Sequence, residues 1–393
     1  MLKVATGRFC LFVVITCLSA VVTMAACAAP QPLLPALQPE ETPVISDETP
    51  AAIQDVEVVA AGLDTPWAID FATDGRIFLT ERPGRVRIIK NGRLLDEPWF
   101  AVDIARGGES GLLGLALDHH FGQNRFVYLA YTYRDENGRF RNRLVRLKDD
   151  PSNDKGEVDR ILVDGVLGAS NHDGGRVRFG PDDKLYWTTG DAQDAELAQD
   201  LTSLNGKILR LNTDGTVPGD NPFPGSMIYS YGHRNPQGLA WQPGTEHLYA
   251  TEHGPSGFQG SGQDEVNYIQ AGNNYGWPAI TGDEVQEGMV SPVIQSGRSE
   301  TWAPGGAAFV VGGPWDGSLL FVGLRGQTLY RLSLDINEPE KALYFDRLLS
   351  GEYGRLRDVA QGPDGAIYIL TSNRDGRGNP EKDDDKVLRL VVR

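Results

Sequence analysis

Cysteine is nearly absent from this chain of 393 residues. Cys10, Cys17 and Cys27 are its three cysteines, and none occurs after residue 27. That excludes a disulfide framework in the folded body, and with it any Cys-ligated zinc, haem or iron–sulfur centre there. No CxxCH occurs, so no c-type haem is attached covalently. Positive charge is the minority sign: 37 Lys+Arg against 53 Asp+Glu leave a formal net charge of -16. Binding a polyanion needs clustered Lys and Arg, so this balance argues against a nucleic-acid partner and reads instead as a solubilising surface. Beyond the first 26 residues no apolar run approaches membrane-spanning length. Long amphipathic helical patterns alternating with strands are missing too, which argues against a TIM barrel or a Rossmann sheet.

Glycine is plentiful, at 47 residues, and proline numbers 24, which favours many turns and short strands. The N-terminus is a targeting segment. Lys3 and Arg8 precede the apolar run from Phe9 to Met24, and small residues follow in MAAC, 24–27. This is similar to a bacterial lipoprotein signal with Cys27 as the lipidated residue, which implies an exported protein, periplasmic or at the cell surface, touching the membrane only through that anchor. Plain cleavage and an uncleaved anchor are the alternatives. Residues 27–53 are rich in Pro, Glu, Ala and Thr, a composition that buries no core and reads as an extended linker.

From residue 54 to 393 one unit recurs: a Pro/Asp/Gly turn, an apolar strand often ending in Thr, a loop, and a second strand. It appears as TDGRIFLTERPGRVRII (73–89), NRFVYLAYTY with RLVRL, PDDKLYWTTGD with GKILRLN, PGTEHLYATEHG with DEVNYI, WDGSLLFVGLRGQTLYRL, and PDGAIYILTSNRDG with KVLRLVV. Six copies, roughly 50–70 residues apart, predict an all-β fold, a six-bladed β-propeller of four-stranded antiparallel blades. Alternation within the strands suits one face packed on a neighbouring blade. DVEVVAAGL (55–63) is expected to pair into the C-terminal blade and close the ring. A large β-sandwich or β-helix is the runner-up.

Residues capable of chemistry fall in the connections, where a propeller builds its site. Glu109 lies in GGESGLLGLALD, His172 in NHDGGRVRFGPD, Asp191 in TTGDAQD, His233, Arg234 and Asn235 in GHRNPQG, His253 in TEHGP, and Arg355 and Arg357 in RLRD. Taken singly, each reads as a turn or surface residue. The pairing of His172 with Asp191 carries a mechanism, because a carboxylate that fixes an imidazole raises its basicity for proton abstraction. Arg234, Arg355 and Arg357 supply a positive field for an anionic ligand in an otherwise acidic protein. From the residues alone this is a propeller with an anion-binding polar mouth.

LTERPGRVRII, GLLGLALD, NHDGGRVRFGPD, YWTTGDA, NGKILRLNTDG, YGHRNPQGLAW, DEVNYIQAGNNYGWP and RLRDVAQGPDG, together and in this order, resemble the soluble quinoprotein sugar dehydrogenases. This is the glucose/sorbosone, or aldose sugar, dehydrogenase family, and the likeness covers about residues 55–392. It implies a six-bladed propeller holding pyrroloquinoline quinone (PQQ) and Ca²⁺ at one mouth. It further implies His172 as the base that takes the sugar hydroxyl proton, Asp191 as its orienting carboxylate and Arg234 beside the quinone oxygen that gains charge. Asn235 is then expected on the cofactor, Arg355 and Arg357 on its carboxylates, and Arg325 where relatives often carry Lys. Glu109 stands where some members have Gln and is expected to contact sugar or cofactor. His253 stands where others have Gln. The carbonyls of Gly254 and Pro255 resemble ligands of the cofactor-bridging Ca²⁺, and Glu265 with the Tyr275 carbonyl resembles a second calcium site. The loop 256–263 looks longer than in some members. The implied activity is oxidation of an aldose at the anomeric carbon to the lactone, with electrons leaving to an external quinone or cytochrome. Two other readings compete. A Ca²⁺-dependent lactonase has no use for the arginines, and a non-catalytic binding propeller has none for the base chemistry.

Overall fold

The strands that the repeat predicts pack so closely that the second strand of a blade is buried on both faces. Leu185–Thr189 illustrates this, since all five of its residues are buried. Leu185 and Trp187 pack with Ala116 and Tyr128 on one side, while Tyr186 packs with Leu239 and Leu248 on the other. The period of two is therefore expressed as alternate residues facing alternate neighbours, not as an apolar face and a wet face. Ile367–Thr371 repeats the arrangement: Ile367 and Ile369 join Leu320 and Val322, whereas Tyr368 and Leu370 join Ile69 and Leu79. Fully burying one such apolar side chain contributes about 1.5–3 kcal/mol.

The computed structural model describes residues 53–256 and 262–392. The expectations for the targeting segment, the linker and the loop after Ser256 fall on residues outside these. The described residues belong to one compact unit, Pro43–Arg393. They form six antiparallel sheets, five of four strands and the first with a short fifth strand beside it. Consecutive sheets touch through their innermost strands, Pro66–Phe71, Leu112–Leu117, Val177–Phe179, Pro236–Trp241, Pro304–Phe309 and Leu356–Gln361, and the last touches the first. This is the six-bladed propeller, with almost no helix. Ile53–Ala60 forms the outer strand of the sixth blade, antiparallel to Val387–Val392, so the ring is closed where the sequence placed its closure. Among the described residues no helix is long and apolar enough to cross a membrane.

The channel at the centre of the ring is filled by an ion pair. Arg176 Nη1 donates to Asp358 Oδ2 at 3.0 Å, and both side chains are fully buried. The same carboxylate oxygen accepts the backbone N–H of Ile69 at 3.1 Å. Arg176 Nε donates to the Gln237 carbonyl at 2.7 Å, and its guanidinium lies 4.4 Å from the Trp67 ring. Gly306 has no Cβ because one would sit 1.6 Å from Asp358 Oδ1.

Asp358→Ala leaves the Arg176 charge buried without its partner and should lower stability by about 3–5 kcal/mol. The double change Arg176→Met with Asp358→Leu should cost less. Urea unfolding of the three proteins measures both, and an unchanged midpoint for Asp358→Ala would show that the pair does not hold the ring.

Candidate active site

In an antiparallel blade the start of the inner strand and the end of the second strand lie at the same end. Segments just before the inner strands therefore meet segments just after the second strands. Glu109, His172, Arg234, Ala303 and Arg355 come from the first set, and Gln193, His253, Arg325 and Arg377 from the second. All nine line a single cavity of about 380 Å³. Gly254, Pro255 and Arg357 line it as well. A cavity of about 330 Å³ at the opposite ends of the inner strands is lined mostly by apolar residues, among them Phe71, Phe179 and Trp241, with Asp70 and Arg178 as its charged residues. Most titratable groups of the two mouths therefore converge on the first.

His172 and Asp191 meet there. His172 Nδ1 lies 2.8 Å from Asp191 Oδ1. The second carboxylate oxygen accepts from Trp277 Nε1 at 2.9 Å, and the backbone N–H of Gln193 donates to the first at 2.8 Å. Asp191 accordingly accepts from every side and cannot turn away. A neutral imidazole against this carboxylate carries its proton on Nδ1, which leaves the Nε2 lone pair for the cavity that His172 lines. The local backbone is tight: His172 has φ of 63°, and a Cβ on Gly190 would lie 2.0 Å from the His172 carbonyl oxygen. Glycine at 190 is what lets the two segments close on each other.

The arginines divide into two groups. Arg355 is held by Asp375, with Nη2 to Oδ2 at 2.7 Å, and Arg377 by Glu109 at 2.7 Å. Arg234, Arg325 and Arg357 have no carboxylate partner among the described residues. Arg357 Nη1 donates to Gln237 Oε1 at 2.6 Å. Arg234 lies 5.3 Å from the Trp277 ring and reaches Ser256 Oγ at 3.1 Å. The Nε atoms of Arg234 and Arg357 are buried without an acceptor. Three guanidiniums without counter-ions and two orphaned donors at one cavity fit a ligand carrying several negative charges.

Other expected site residues take varied positions. Burial pushes the Glu109 carboxyl up, but protonated His253 and Arg377 outweigh it and hold the group at about 2. Burial pulls the His253 imidazole down to about 4 against the attraction of Glu109 and Asp264, so at neutral pH Arg377 is the standing counter-ion of Glu109. His253 Nε2 lies 2.9 Å from the Pro304 carbonyl oxygen. Asn235, expected beside a cofactor, adjoins the lining residue Glu109: its Oδ1 accepts from the Gly174 N–H at 3.0 Å and its Nδ2 faces Glu109 at 3.5 Å. His233 is structural, fully buried between Ser230 and Glu252 and stacked on Tyr275.

Gly254 and Pro255 line the cavity, and backbone carbonyls are the kind of oxygen donor a hard cation takes. Glu265 and Tyr275 do not line the cavity. Glu265 stands opposite Glu252 on adjacent strands, and burial together with the Glu252 charge pushes it up to about 8. A cation there would hold both carboxylates ionised. Among the described residues no three His, Cys, Asp or Glu side chains cluster to hold a metal, so backbone oxygens would have to complete either site.

Several lining residues carry no signal that singles them out in the sequence. Asn171 and Gln193 flank the His172–Asp191 pair. Asp264 accepts the N–H groups of Gly254, Trp302 and Ala303 at 2.7–2.9 Å and so shapes the wall near Gly254. Arg377 lies in a connection whose sequence marks only a turn.

Comparison with known proteins follows this geometry. The family model described as Glucose / Sorbosone dehydrogenase matches residues 63–388. The chain is 34% identical to the aldose sugar dehydrogenase of Escherichia coli K12, covering 83% of this chain and 92% of that protein. It is 28% identical to quinoprotein glucose dehydrogenase B of Acinetobacter calcoaceticus, covering 86% and 88%. Among solved structures, the PQQ-bound aldose sugar dehydrogenase of Streptomyces coelicolor superposes with a TM-score of 0.76 at 36% identity, over 87% of this chain and all of that one.

Asp173, next to His172 in the chain and buried, offers a test of the packing around the base. Its Oδ1 accepts from Ala169 N–H and Asn142 Nδ2, while Oδ2 is buried without a partner. Burial, with Glu109 adding to it, raises this carboxyl from 3.8 to about 7. Between those values the folded chain holds a proton the unfolded chain has lost, so stability falls as pH rises, by at most about 1.4 kcal/mol per unit. Asp173→Asn should flatten that fall. Urea unfolding at pH 4.5 and 7 measures it, and equal slopes for both proteins would refute the assignment.

Proposed function

The chain belongs to the glucose/sorbosone dehydrogenase family, and on that footing we propose that it is an oxidoreductase that uses PQQ and Ca²⁺ to oxidise aldoses at the anomeric carbon to the lactone. The observation that carries the reading is the His172–Asp191 pair opening onto a cavity with three guanidiniums that lack counter-ions. The donor set fits the cofactor: Arg325, Arg355 and Arg357 would hold carboxylates, and Arg234 would face the oxygen on which charge develops. The carbonyls of Gly254 and Pro255 would hold the Ca²⁺ beside it, and Glu265 with the Tyr275 carbonyl a second, structural one. Bound PQQ supplies a two-electron acceptor for the hydride on the anomeric carbon.

The chain's own residues do the rest. His172 Nε2 takes the proton from the anomeric hydroxyl as the hydride departs, so the hemiacetal loses one proton and one hydride. Asp191 keeps Nδ1 protonated before the transfer and stabilises the imidazolium after it. Trp277 and the Gln193 N–H hold Asp191 in place for both roles. With no cysteine pattern for a haem, the electrons pass to an external quinone or cytochrome. The protein is exported and anchored through a lipid on Cys27.

Dye reduction by apoprotein with a panel of aldoses should require both PQQ and Ca²⁺, and EDTA should block reconstitution; equal turnover without PQQ would overturn the reading. A positioned base contributes about 10²–10⁴-fold. His172→Ala should therefore lower kcat by that factor while PQQ still titrates with ordinary affinity, and wild-type kcat in the loaded variant would remove His172 from the chemistry. Cys27→Ser should release the protein from membranes, as fractionation of expressing cells would report. A variant still bound and uncleaved would mark a signal anchor instead.

A further inference from the structure

Lys207 is buried without a carboxylate partner among the described residues. It opens the third strand of the third blade, Lys207–Leu211, and its side chain is shut off from solvent. Its Nζ donates to three backbone carbonyls, Leu197 at 2.8 Å, Ala198 at 3.0 Å and Asn205 at 2.6 Å. An ammonium has three N–H donors, so the set is matched one for one. Burial pulls the group down to about 7, with Asp200 pulling the other way. A methionine would fill the same space without that cost, so the position uses the donors.

What the donors gather is the connection 190–206, which carries Asp191 and Gln193. Leu197 and Ala198 end its one turn of 3₁₀-helix, Ala195–Ala198, and Asn205 lies at its far end. Two routes lead from these carbonyls to Asp191. In the first, Asn205 Nδ2 donates to the Gly190 carbonyl at 3.1 Å, and the Gly206 N–H donates to the same oxygen at 2.9 Å. Gly190 directly precedes Asp191. In the second, the Ala198 carbonyl that takes Lys207 also takes the Gly232 N–H at 2.9 Å. Gly232 begins GHRNPQG, and the Arg234 carbonyl of that segment accepts the Asp191 N–H at 2.8 Å. Gln199, next after the turn, donates to the Trp277 carbonyl at 2.6 Å, and Trp277 in turn donates to Asp191 Oδ2. The ammonium thus stands where three segments that place Asp191 come together.

We propose that Lys207 is a positioning residue for the base: by gathering the carbonyls of Leu197, Ala198 and Asn205, it sets the Asp191 carboxylate against His172 Nδ1. The catalytic consequence rests on the function proposed above, whereas the geometry is present before any ligand binds. Lys207 does not line the cavity, so its loss reaches the chemistry through Asp191. Misplacing a reacting group by about 1 Å can cost on the order of 10²-fold.

The test reads the pair directly. In apoprotein with isotope-labelled histidine, the His172 Nδ1 proton, bonded to a carboxylate, gives a far-downfield resonance that is missing in His172→Ala. In Lys207→Met that resonance should move upfield or broaden. PQQ-loaded Lys207→Met should lose about tenfold in kcat per folded molecule. In an Asp191→Asn background the same change should cost less than about twofold, because the route to the base is already cut. Asn205→Ala leaves the ammonium and its three carbonyls in place but removes the tie to Gly190. It should move the same resonance, and it carries the test if Lys207→Met does not fold. A lysine that only stabilises the fold gives a lower urea midpoint, an unmoved resonance and equal losses in both backgrounds. An unmoved resonance in either variant would overturn the proposal, as would additive losses or a loss of PQQ affinity that accounts for the whole defect. A resonance that moves in a protein that oxidises no aldose would leave the positioning standing and overturn the functional reading.

Discussion

A charge cannot be left alone in the middle of a protein, and this ring is organised around one that is not. Arg176 and Asp358 are fully buried and 182 positions apart in the chain. Between them they touch five of the six blades: Ile69 and Trp67 in the first, Arg176 itself before the third inner strand, Gln237 in the fourth, Gly306 in the fifth and Asp358 in the sixth. Either charge alone would cost several kcal/mol of desolvation, so the pair has a low energy only when those blades stand in register. Apolar contacts between blades supply most of the cohesion but say little about register, because Leu against Val tolerates sliding. The ion pair does not.

The same cluster reaches the mouth. The backbone oxygen of Gln237 takes Arg176, while its side-chain oxygen takes Arg357. Trp67 lies under both guanidiniums, 4.4 Å from Arg176 and 5.7 Å from Arg357. Three arginines, Arg176, Arg178 and Arg357, share this column with two carboxylates, Asp358 and Asp70. Burial pushes the Asp70 carboxyl up even against the attraction of Arg178, and three guanidiniums against two carboxylates leave the column a surplus of positive charge. That surplus is a cost in the free protein. It is offset when an anion sits above it, which couples ligand binding to the stability of the channel. Paired arginines at the rim serve differently. Asp375 and Glu109 neutralise Arg355 and Arg377, so those two contribute shape and hydrogen bonds with less net field.

How much of this could be read from the sequence depends on the range of the interaction. The six strand pairs were legible because each rests on turns and apolar runs within about thirty residues, and the pairing of DVEVVAAGL with the C-terminal strand followed from the need to leave no open edge. His172 and Asp191 were legible because a single hairpin, Val177–Phe179 with Leu185–Thr189, separates them. The alternation was misread in one respect: strands such as LYWTT are packed on both sides, and a five-residue apolar run cannot say how many neighbours it has. GHRNPQG does not reveal which of its side chains turn inward: Arg234 lines the cavity, while Asn235 contacts Gly174 and Glu109. Arg176 organises the channel, yet within NHDGGRVRFGPD nothing local distinguishes it from a surface arginine. Arg377 and Glu109 are 268 positions apart, and nothing local announces that a glycine-rich turn and a basic turn will meet.

This distribution of partners constrains how the site can form. The base and its carboxylate belong to the third blade, the arginines to the fourth, fifth and sixth, and Glu109 to the second. No single blade holds enough of the site to bind or act. The positions become coherent only when the ring closes, and closure requires the first described strand, Ile53–Ala60, to join the last, Val387–Val392. A site assembled this way is held by rigid strands on every side, so little reorganisation remains to be made at the moment of reaction. Its groups then differ in freedom for a physical reason. Asp191 accepts from all directions and is fixed, whereas Arg325 and Arg377 at the rim keep unspent donors and exposure. Fixed groups suit proton transfer, which fails with small displacements, and adjustable rim cations suit the recognition of ligands that must enter and leave.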